Sequence, residues 1–191
     1  MSYIMSEAVS EGLNERTVHA TNCTESWFAL VTKPRHEKVV AETLKSKGLE
    51  TFLPLVQRRH QYGRRSREFD VPLFPGYLFC RFNVSRRLPV VTTAGIVRIV
   101  GAGFSPIPVN DVELTSLQIA TRARFPVHPH PFLYGGAKVA ITEGPLAGME
   151  GVVVKEKDPL RIVVSIDLLQ RSVLLEIAAD RVGAPRSNSH F

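Results

Sequence analysis

The sequence predicts a mixed α/β domain followed by a small β-barrel, and three observations carry that prediction. Residues 26–124 mix strand-like and helix-like apolar patterns. A proline-rich stretch then interrupts the chain at 125–136. Beyond it, short β-branched runs recur at a spacing of about ten residues. A length of 191 residues is enough for two small domains.

These composition changes divide the chain into five segments. Residues 1–25 are rich in Ser, Glu, Thr and Asn without apolar periodicity, which predicts a disordered leader. The first domain spans 26–124. Three prolines in close succession make 125–136 a poor helix and a poor strand, so we expect a linker there. The second domain spans 137–184, and 185–191 is expected to be a disordered tail.

The first domain opens as a strand followed by a helix. Trp27–Val31 is a short apolar run typical of a strand. Pro34 suits a helix start and Gly48 suits the position after a helix end, which predicts a helix over Arg35–Lys47. The predicted apolar stripe of this helix consists of Val39, Val40, Thr43 and Leu44.

A hairpin and a doubly apolar strand come next. Strand patterns on both sides of Gly63 predict a hairpin with a basic tip. In Leu73–Phe82, side chains alternate between two faces. Phe74, Leu78, Cys80 and Phe82 fall on one face, and Tyr77 and Phe79 fall on the other. Either this strand is central and covered on both sides, or one face waits for a partner.

A further strand and a helix complete the first domain. Ile96–Val100 has the β-branched composition of a strand. Asn110 with Glu113 three residues later forms a capping box, which predicts a helix ending near Thr121.

The second domain has only strand patterns. Val139 and Ile141 alternate with polar residues, and a Gly- and Pro-rich turn follows. The later β-branched runs are Val152–Val154, Ile162–Ile166 and Val173–Ile177. Short strands at this spacing are typical of a small β-barrel.

Positive charge is concentrated in the first domain. Residues 26–124 hold sixteen Lys and Arg against seven Asp and Glu, a net charge of +9. Residues 1–25 carry −3 and residues 125–191 carry 0. Such a block attracts nucleic acid, although a solubilising surface is the alternative. With no apolar run of about 18 residues and no signal-peptide pattern, we expect a cytoplasmic protein that is not membrane-bound.

The sequence contains no complete enzyme motif of the kinds considered below. His36-Glu37 begins like a zinc-binding HExxH motif, but Val40 replaces the second histidine. Phosphate-loop, dinucleotide-binding and nucleophile-elbow motifs are missing from the sequence. Cys80 alternates with Phe residues, which favours a buried small hydrophobe over a nucleophile. We therefore expect no enzyme, no cofactor and no metal site.

Two features of the sequence favour binding over catalysis, a basic hairpin and an apolar strand. The hairpin carries five arginines, and guanidinium groups pair well with phosphate oxygens. They are Arg58, Arg59, Arg64, Arg65 and Arg67. The alternative is an exposed charged hairpin that touches nothing. The second candidate is the odd face of the apolar strand, Tyr77 and Phe79, together with Val31, as a protein-binding surface. Its alternative is ordinary core.

These patterns resemble a known family. Trp27-Phe28, the basic hairpin, Leu73-Phe74-Pro75-Gly76-Tyr77-Leu78-Phe79 and Gly95-Ile96-Val97 resemble the NGN domain of NusG-type transcription factors. Gly136–Val139 with Gly144–Val153 is similar to a KOW motif. The resemblance implies an N-terminal α/β (α+β) domain with an antiparallel sheet flanked by helices, then an SH3-like β-barrel.

The resemblance also implies partners. An NGN domain binds the clamp helices of RNA polymerase and contacts upstream or non-template DNA, and a KOW domain recruits proteins such as Rho or a ribosomal protein. By position, the polymerase-binding residues would be Phe74, Tyr77 and Phe79. Those near DNA would be Lys33, Arg35, Arg64, Arg65 and Arg67. Leu168 and Leu169 stand where the family has an exposed apolar partner contact.

Two branches of the family are relevant. The stretch 164–173 is similar to specialised paralogues of the UpxY kind. The RfaH branch has a His-Thr-Thr-Thr stretch, whereas Leu88–Thr93 has no histidine here. We therefore expect a monomeric elongation or antitermination factor. The alternative is an RNA-binding module of the ribosome or translation machinery.

Overall fold

The computed structural model describes most of the chain. The residues described are 24–62, 65–123, 127–132, 138–142, 144–155, 160–177 and 186–187. The predicted leader up to residue 23 and the hairpin tip at Gly63 and Arg64 lie outside these ranges. The predictions for them therefore stay predictions.

The N-terminal unit contains eight strands and three α-helices among its described residues. The strands are β1 (Ser26–Thr32), β2 (Glu50–Phe52), β3 (Leu55–Tyr62), β4 (Arg65–Pro72), β5 (Tyr77–Phe82), β6 (Ile96–Ile99), β7 (Gly101–Ala102) and β8 (Ser105–Pro106). The helices are α1 (Glu37–Ser46), α2 (Leu88–Val91) and α3 (Asp111–Arg122). The strands and helices predicted for this part of the chain are confirmed. The strand predicted over Leu73–Phe82 begins only at Tyr77, because a turn precedes it.

A four-stranded antiparallel sheet lies at the centre of this unit. Its strand order is β2-β5-β1-β6, so β5 and β1 are both internal. The β1–β5 register runs from Ser26 opposite Phe82 to Val31 opposite Tyr77. β3 and β4 form a separate hairpin, and β7 and β8 form a second, very short one.

One face of the central sheet is covered by α1 and α2. The buried cluster there consists of Phe28, Leu30, Val40, Leu44, Leu78, Cys80, Phe82 and Val90. The stripe predicted for α1 is wrong at Val39, which is 64% exposed. Ala41 is buried instead, because the side of the helix that faces the sheet carries Val40, Ala41 and Leu44. Gly48 follows the helix with φ +79°, a left-handed conformation that favours glycine.

The opposite face of the sheet is covered by α3. Leu114, Leu117 and Ala120 of this helix belong to the same buried cluster as Ala29 and Phe79 of the sheet. The central strand is therefore covered on both sides, which decides between the two alternatives left open by the sequence. The prediction that Phe74 shares a face with Leu78 is wrong. Phe74 precedes the strand, lies in a turn, and packs in the α3 cluster.

The C-terminal unit is an antiparallel sheet in order β14-β10-β11-β12-β13-β9. Its strands are β9 (Val127–His130), β10 (Lys138–Ala140), β11 (Glu150–Lys155), β12 (Leu160–Ile166), β13 (Arg171–Ile177) and β14 (Arg186–Ser187). The predicted all-β character of this unit is confirmed.

Two boundary predictions are wrong in part. Val127–His130 was expected in the linker but pairs with β13, with Pro129 opposite Val173. β9 is an edge strand, where a proline without an N–H group is tolerated. Arg186 and Ser187 were expected in a disordered tail but pair with β10.

Candidate nucleic-acid and protein interfaces

The β3–β4 hairpin has two chemically different faces. Because side chains alternate along strands, Arg59 and its partner Glu68 lie on one face, and Arg58 and its partner Phe69 lie on the other. Arg59 is neutralised, since its Nη2 lies 3.1 Å from Glu68 Oε1. The sequence did not separate these two arginines, because the distinction depends on the register of pairing.

The face of Arg58 also carries Arg67 and the aromatic ring of Phe69. Arg58 and Arg67 are diagonal neighbours, about 7–8 Å apart at their Cα atoms. Both are exposed, and neither has an ion-pair partner within the described part of the chain. Phe69 is 41% exposed, directly opposite Arg58 and two residues from Arg67 along β4. Phe69 was missed from sequence, because a hairpin centred on Gly63 would set Glu68 opposite Arg58, whereas the register sets Phe69 there. We call Arg58, Arg67 and Phe69 the open hairpin face.

The other predicted hairpin arginines are less well placed. Arg65 is the first residue of β4 and pairs with Tyr62, but its side chain is not among those that the structure describes. Arg64 lies outside the described residues altogether. For both, a role near DNA stays a prediction.

Lys33 and Arg35 lie in the turn between β1 and α1. The backbone N–H of His36 donates to the Lys33 carbonyl at 3.1 Å, which closes a β-turn with Pro34 and Arg35 at its centre. Arg35 has φ +64°, in the left-handed region that normally favours glycine. Both basic side chains are exposed.

This turn adjoins the base of the hairpin. A cleft of about 450 Å³ lies between Pro34, Arg35 and Lys38 on one side and Pro72 and Pro75 on the other. Lys38 was not singled out by sequence, yet its Nζ donates to the Asp70 carbonyl of β4 at 2.7 Å. The wall is completed by Glu37, a buried carboxylate that accepts the Gly76 N–H at 2.7 Å. The structure thus brings Arg35 beside the hairpin.

The predicted polymerase-binding residues divide into two pairs. Phe79 is fully buried and stacks with Phe52 at a ring-centroid distance of 5.9 Å, and Phe74 is also buried. The prediction that Phe79 lies on an open face is wrong, because α3 covers it. Val31 and Tyr77 are directly opposite each other and half-buried, so they remain partly accessible.

The predicted partner contact of the C-terminal unit is also partly covered. Leu168 and Leu169 lie in the short 3-10 turn Asp167–Leu169 between β12 and β13. Leu169 is 8% exposed and Leu168 is half-buried. The expectation of an exposed contact is therefore wrong for Leu169, which belongs to the buried cluster that contains the α3 residues.

Helix α3 joins the two units, a contact that the sequence left open. Ser116 Oγ accepts the Glu150 N–H at 2.8 Å, and Glu113 Oε2 accepts the Asp167 N–H at 3.1 Å. Gly148 lies beside Ile119, since a Cβ at this glycine would stand 3.6 Å from the Ile119 Cδ1. We call Glu113, Ser116 and Ile119 the outer stripe of α3.

The capping box predicted at the start of α3 is half right. Asn110 accepts hydrogen bonds from the N–H groups of Val112 and Glu113, as predicted for a helix cap. The Glu113 carboxylate instead binds Asp167. Burial raises the pKa of Glu113, and the Asp167 carboxylate adds to this, while the Asp167 N–H and Lys138 oppose it.

Other chemistry finds no support in the described residues. They contain no group of three or more His, Cys, Asp or Glu side chains placed to hold a metal ion. Burial raises the pKa of the Cys80 thiol to about 12, so this cysteine stays protonated and is not an activated nucleophile. In the same part of the chain, no helix has the length and apolar character required to cross a membrane.

Comparison with solved structures finds matches to NusG and Spt5 proteins. One, described as "Domain interaction in Thermotoga maritima NusG", is 24% identical over 83% of this chain and 96% of that chain, with a TM-score of 0.49. Two conformations of the MjSpt4:Spt5 complex, B and A, are each 14% identical. They match 86% and 84% of this chain and 99% and 98% of theirs, with TM-scores of 0.28 and 0.30.

The family comparison concerns the N-terminal unit. Residues 25–118 match the family model described as "NusG: Transcription termination factor nusG". This range begins just before β1 and ends within α3, so it contains the whole central sheet and both hairpins. Over residues 25–118 the chain therefore belongs to the NusG family of transcription factors.

Proposed function

We propose that this chain is a transcription elongation or antitermination factor that binds the clamp helices of RNA polymerase and contacts upstream or non-template DNA. The observation that carries the proposal is the separation of two surfaces on the N-terminal unit, one on the β3–β4 hairpin and one on the central sheet. The open hairpin face presents unpaired arginines with an aromatic ring, and the Val31–Tyr77 pair presents apolar area elsewhere. A factor that holds DNA against polymerase needs both.

The polymerase contact is assigned to Val31 and Tyr77. An aromatic side chain that is half-buried in its own domain keeps a fixed orientation and still offers area to a partner. Phe79 and Phe74 support this surface from beneath, because they fill the cluster on which Tyr77 packs. Their part is to position the surface.

The DNA contact is assigned to the open hairpin face and to Lys33 and Arg35. Arginine forks bind phosphate oxygens, and an exposed phenyl ring stacks on an unpaired base. Arg58, Arg67 and Phe69 offer this combination within one hairpin face. Arg59, which was also predicted to bind nucleic acid, is a weaker contributor, because it already forms an ion pair with Glu68.

The C-terminal unit is proposed to recruit a further protein, with Rho or a ribosomal protein as the expected kind, through the turn that holds Leu168 and Leu169. Membership of the specialised RfaH or UpxY kind is likewise a proposal, and it rests on the similarity of the 164–173 stretch.

A pull-down of core RNA polymerase tests the central claim. Tyr77→Ala should reduce retention at least tenfold, as truncation of an aromatic anchor does at other interfaces. Val39→Ala is the matched control, because Val39 is an exposed apolar residue on the α1 side of the sheet. Unchanged retention by a folded Tyr77→Ala protein would overturn the polymerase assignment.

The DNA contact is tested by two double variants with the same change in net charge. Arg58→Gln/Arg67→Gln removes the unpaired arginines, and Arg59→Gln/Arg81→Gln removes arginines that pair with Glu68 and Glu50. Only the first should lower the salt dependence of single-stranded DNA binding, by about 0.7 units of slope per arginine. Equal effects of the two double variants would contradict the assignment of the DNA contact to the open hairpin face. RNA binding with a steep salt dependence, without retention of polymerase, would favour the ribosomal alternative.

A further inference from the structure

The sheet face that carries Val31 and Tyr77 continues onto the edge strand β6. There, Arg98 lies directly opposite Val31. Val31 in turn lies directly opposite Tyr77 of β5. Because directly opposed residues of neighbouring strands share one side of a sheet, these three side chains form a row across three strands. We call Tyr77, Val31 and Arg98 the cross-strand row.

A β-bulge determines which residues of β6 belong to this face. The pairing of β1 with β6 shifts its register just after Val31. As a result, Ile96 and Ile99 both pack against the cluster under α1 and α2, although strict alternation places residues three apart on opposite faces. Val97 and Arg98 stay outside that cluster. Both are exposed, and Val97 adds apolar area that is 59% exposed beside the row.

The charge of Arg98 is not neutralised within the described part of the chain. None of the ion pairs found there involves its guanidinium group. Arg81, which lies on the same face of β5 as Tyr77, pairs with Glu50 at 3.4 Å. A free guanidinium beside a half-buried apolar pair suits a carboxylate of a protein partner, because apolar contact excludes water from the charged hydrogen bond. A phosphate would suit the guanidinium but not the apolar pair.

The dimensions of the cross-strand row match one side of an α-helix. Neighbouring strands lie about 4.8 Å apart, so about 9.6 Å separates Tyr77 from Arg98 across two spacings. A helix rises about 5.4 Å per turn and about 10.5 Å over seven residues. A helix laid across the strands therefore presents positions i, i+3 or i+4, and i+7 to the three residues in turn.

We propose that Arg98 is a specificity-determining residue of the polymerase contact. It pairs with a carboxylate on a partner helix that crosses the sheet, and the apolar residues of that helix, three or four and seven positions away, lie over Val31 and Tyr77. The inference rests on the proposed function, because it specifies the chemistry of the polymerase surface that the Val31–Tyr77 pair contacts. The alternative is that Arg98 and the bulge only protect an edge strand from pairing with other chains.

Equilibrium binding of the full-length protein to core RNA polymerase, measured without nucleic acid, tests the charge. Arg98→Gln should weaken binding about three- to tenfold at low salt, and the loss should shrink as the salt concentration rises. Arg98→Glu should weaken binding further, because it sets like charges against each other. Arg86→Gln is the matched control, since Arg86 is also exposed but lies in the 3-10 turn before α2. Its affinity should stay within about twofold of the wild type.

A zero-length crosslink identifies the carboxylate. In the Arg98→Lys variant, a carbodiimide joins the side-chain amine at position 98 to a carboxylate in direct contact, with an amide bond formed and water lost to the reagent. Mass spectrometry then locates the crosslinked residue. It should lie on a helix of the polymerase, with an apolar residue seven positions away. Arg86→Lys should give no crosslink to that helix.

Three results would overturn the inference. Unchanged affinity of Arg98→Gln would leave edge protection as the role of this arginine. Equal losses for Arg98→Gln and Arg86→Gln would show only a general attraction between charges. A crosslink to a carboxylate outside a helix, or none from position 98, would contradict the proposed geometry.

Tyr77→Ala, measured in the same assay, separates this inference from the proposed function. If the folded Tyr77→Ala protein binds polymerase as the wild type does, the proposed function fails. If Tyr77→Ala loses binding while Arg98→Gln keeps it, the polymerase contact stands and the role of Arg98 alone is refuted.

Discussion

The two units of this protein bury their sheets by different means. The central N-terminal sheet has its own helices on both faces, α1 and α2 on one side and α3 on the other. The C-terminal sheet has no α-helix of its own among the described residues. Its buried residues, such as Ile162 and Val164, join the cluster that already contains α3.

This difference indicates which unit depends on the other. The N-terminal sheet has helices of its own unit on both faces, whereas the helix that packs on the C-terminal sheet is α3 of the other unit. The C-terminal sheet loses neighbours when α3 leaves. Substitutions in the N-terminal core should therefore disturb both units, and substitutions in the C-terminal sheet should stay local.

The largest effect is expected from the centre of the shared cluster. Phe79→Ala should lower the free energy of unfolding by about 3–5 kcal/mol, because it empties a fully buried site under α3. Val39→Ala, at an exposed apolar position, should change it by less than about 0.5 kcal/mol. Urea unfolding followed by Trp27 fluorescence measures both. A small effect of Phe79→Ala would contradict a sheet sealed by α3.

A smaller and more local effect is expected at Gly151 in β11. A Cβ there would stand 2.6 Å from Ile162 Cγ2 and 2.8 Å from the Val163 carbonyl oxygen. Gly151→Ala should cost about 1–3 kcal/mol through overpacking. Hydrogen exchange should quicken in β11–β13 and stay unchanged in β1 and β5. Faster exchange in β1 would contradict the one-way dependence.

The fold was largely predictable from sequence because strand and helix periodicities agree with the final packing. The helix at Asn110, the Gly63 hairpin and the C-terminal strands all follow from local patterns. β9 was missed, because its pairing with β13 is a long-range contact that outweighs the poor strand tendency of a proline-rich stretch.

The candidate sites were less predictable than the fold. Period-two alternation identified Tyr77 and Phe79 as one face, but it contains no information on what covers that face. The cover, α3, begins about thirty residues further on, and its sequence pattern alone does not tell which sheet face it meets. The hairpin arginines were found as a set, while their division into paired and unpaired required the register that sets Arg59 opposite Glu68.

A third prediction concerns a variant that should loosen the contact between the two units while each unit stays folded. Ser116→Ala removes the acceptor of the Glu150 N–H and should weaken the contact between the units by about 1 kcal/mol. Small-angle scattering should show a modest rise in the radius of gyration, with unchanged circular dichroism. Thr115→Ala, on the exposed side of α3, should leave the scattering curve unaltered. Identical curves for both variants would show that this hydrogen bond does not hold the units together.

The smallest effect concerns pH and follows from Glu113. Its pKa in the docked arrangement lies above the ordinary value of 4.5, chiefly because docking buries the carboxylate. When the units separate, that burial is relieved and the pKa returns toward its ordinary value. Protonation therefore favours docking, so the contribution of Glu113 is complete below pH 4.5 and is lost as pH rises through the docked pKa.

Glu113→Gln isolates this contribution. Glutamine retains a carbonyl oxygen that accepts the Asp167 N–H but carries no titratable proton. The Asp167 amide resonance, followed by NMR from pH 4 to 8, should report weaker docking with rising pH in the wild type. The two proteins differ only at residue 113, so the difference between the two curves belongs to Glu113. Superimposable curves would mean that the carboxylate is as well solvated in the docked arrangement as in the open one, and the outer stripe would then depend on Ser116 and Ile119 alone.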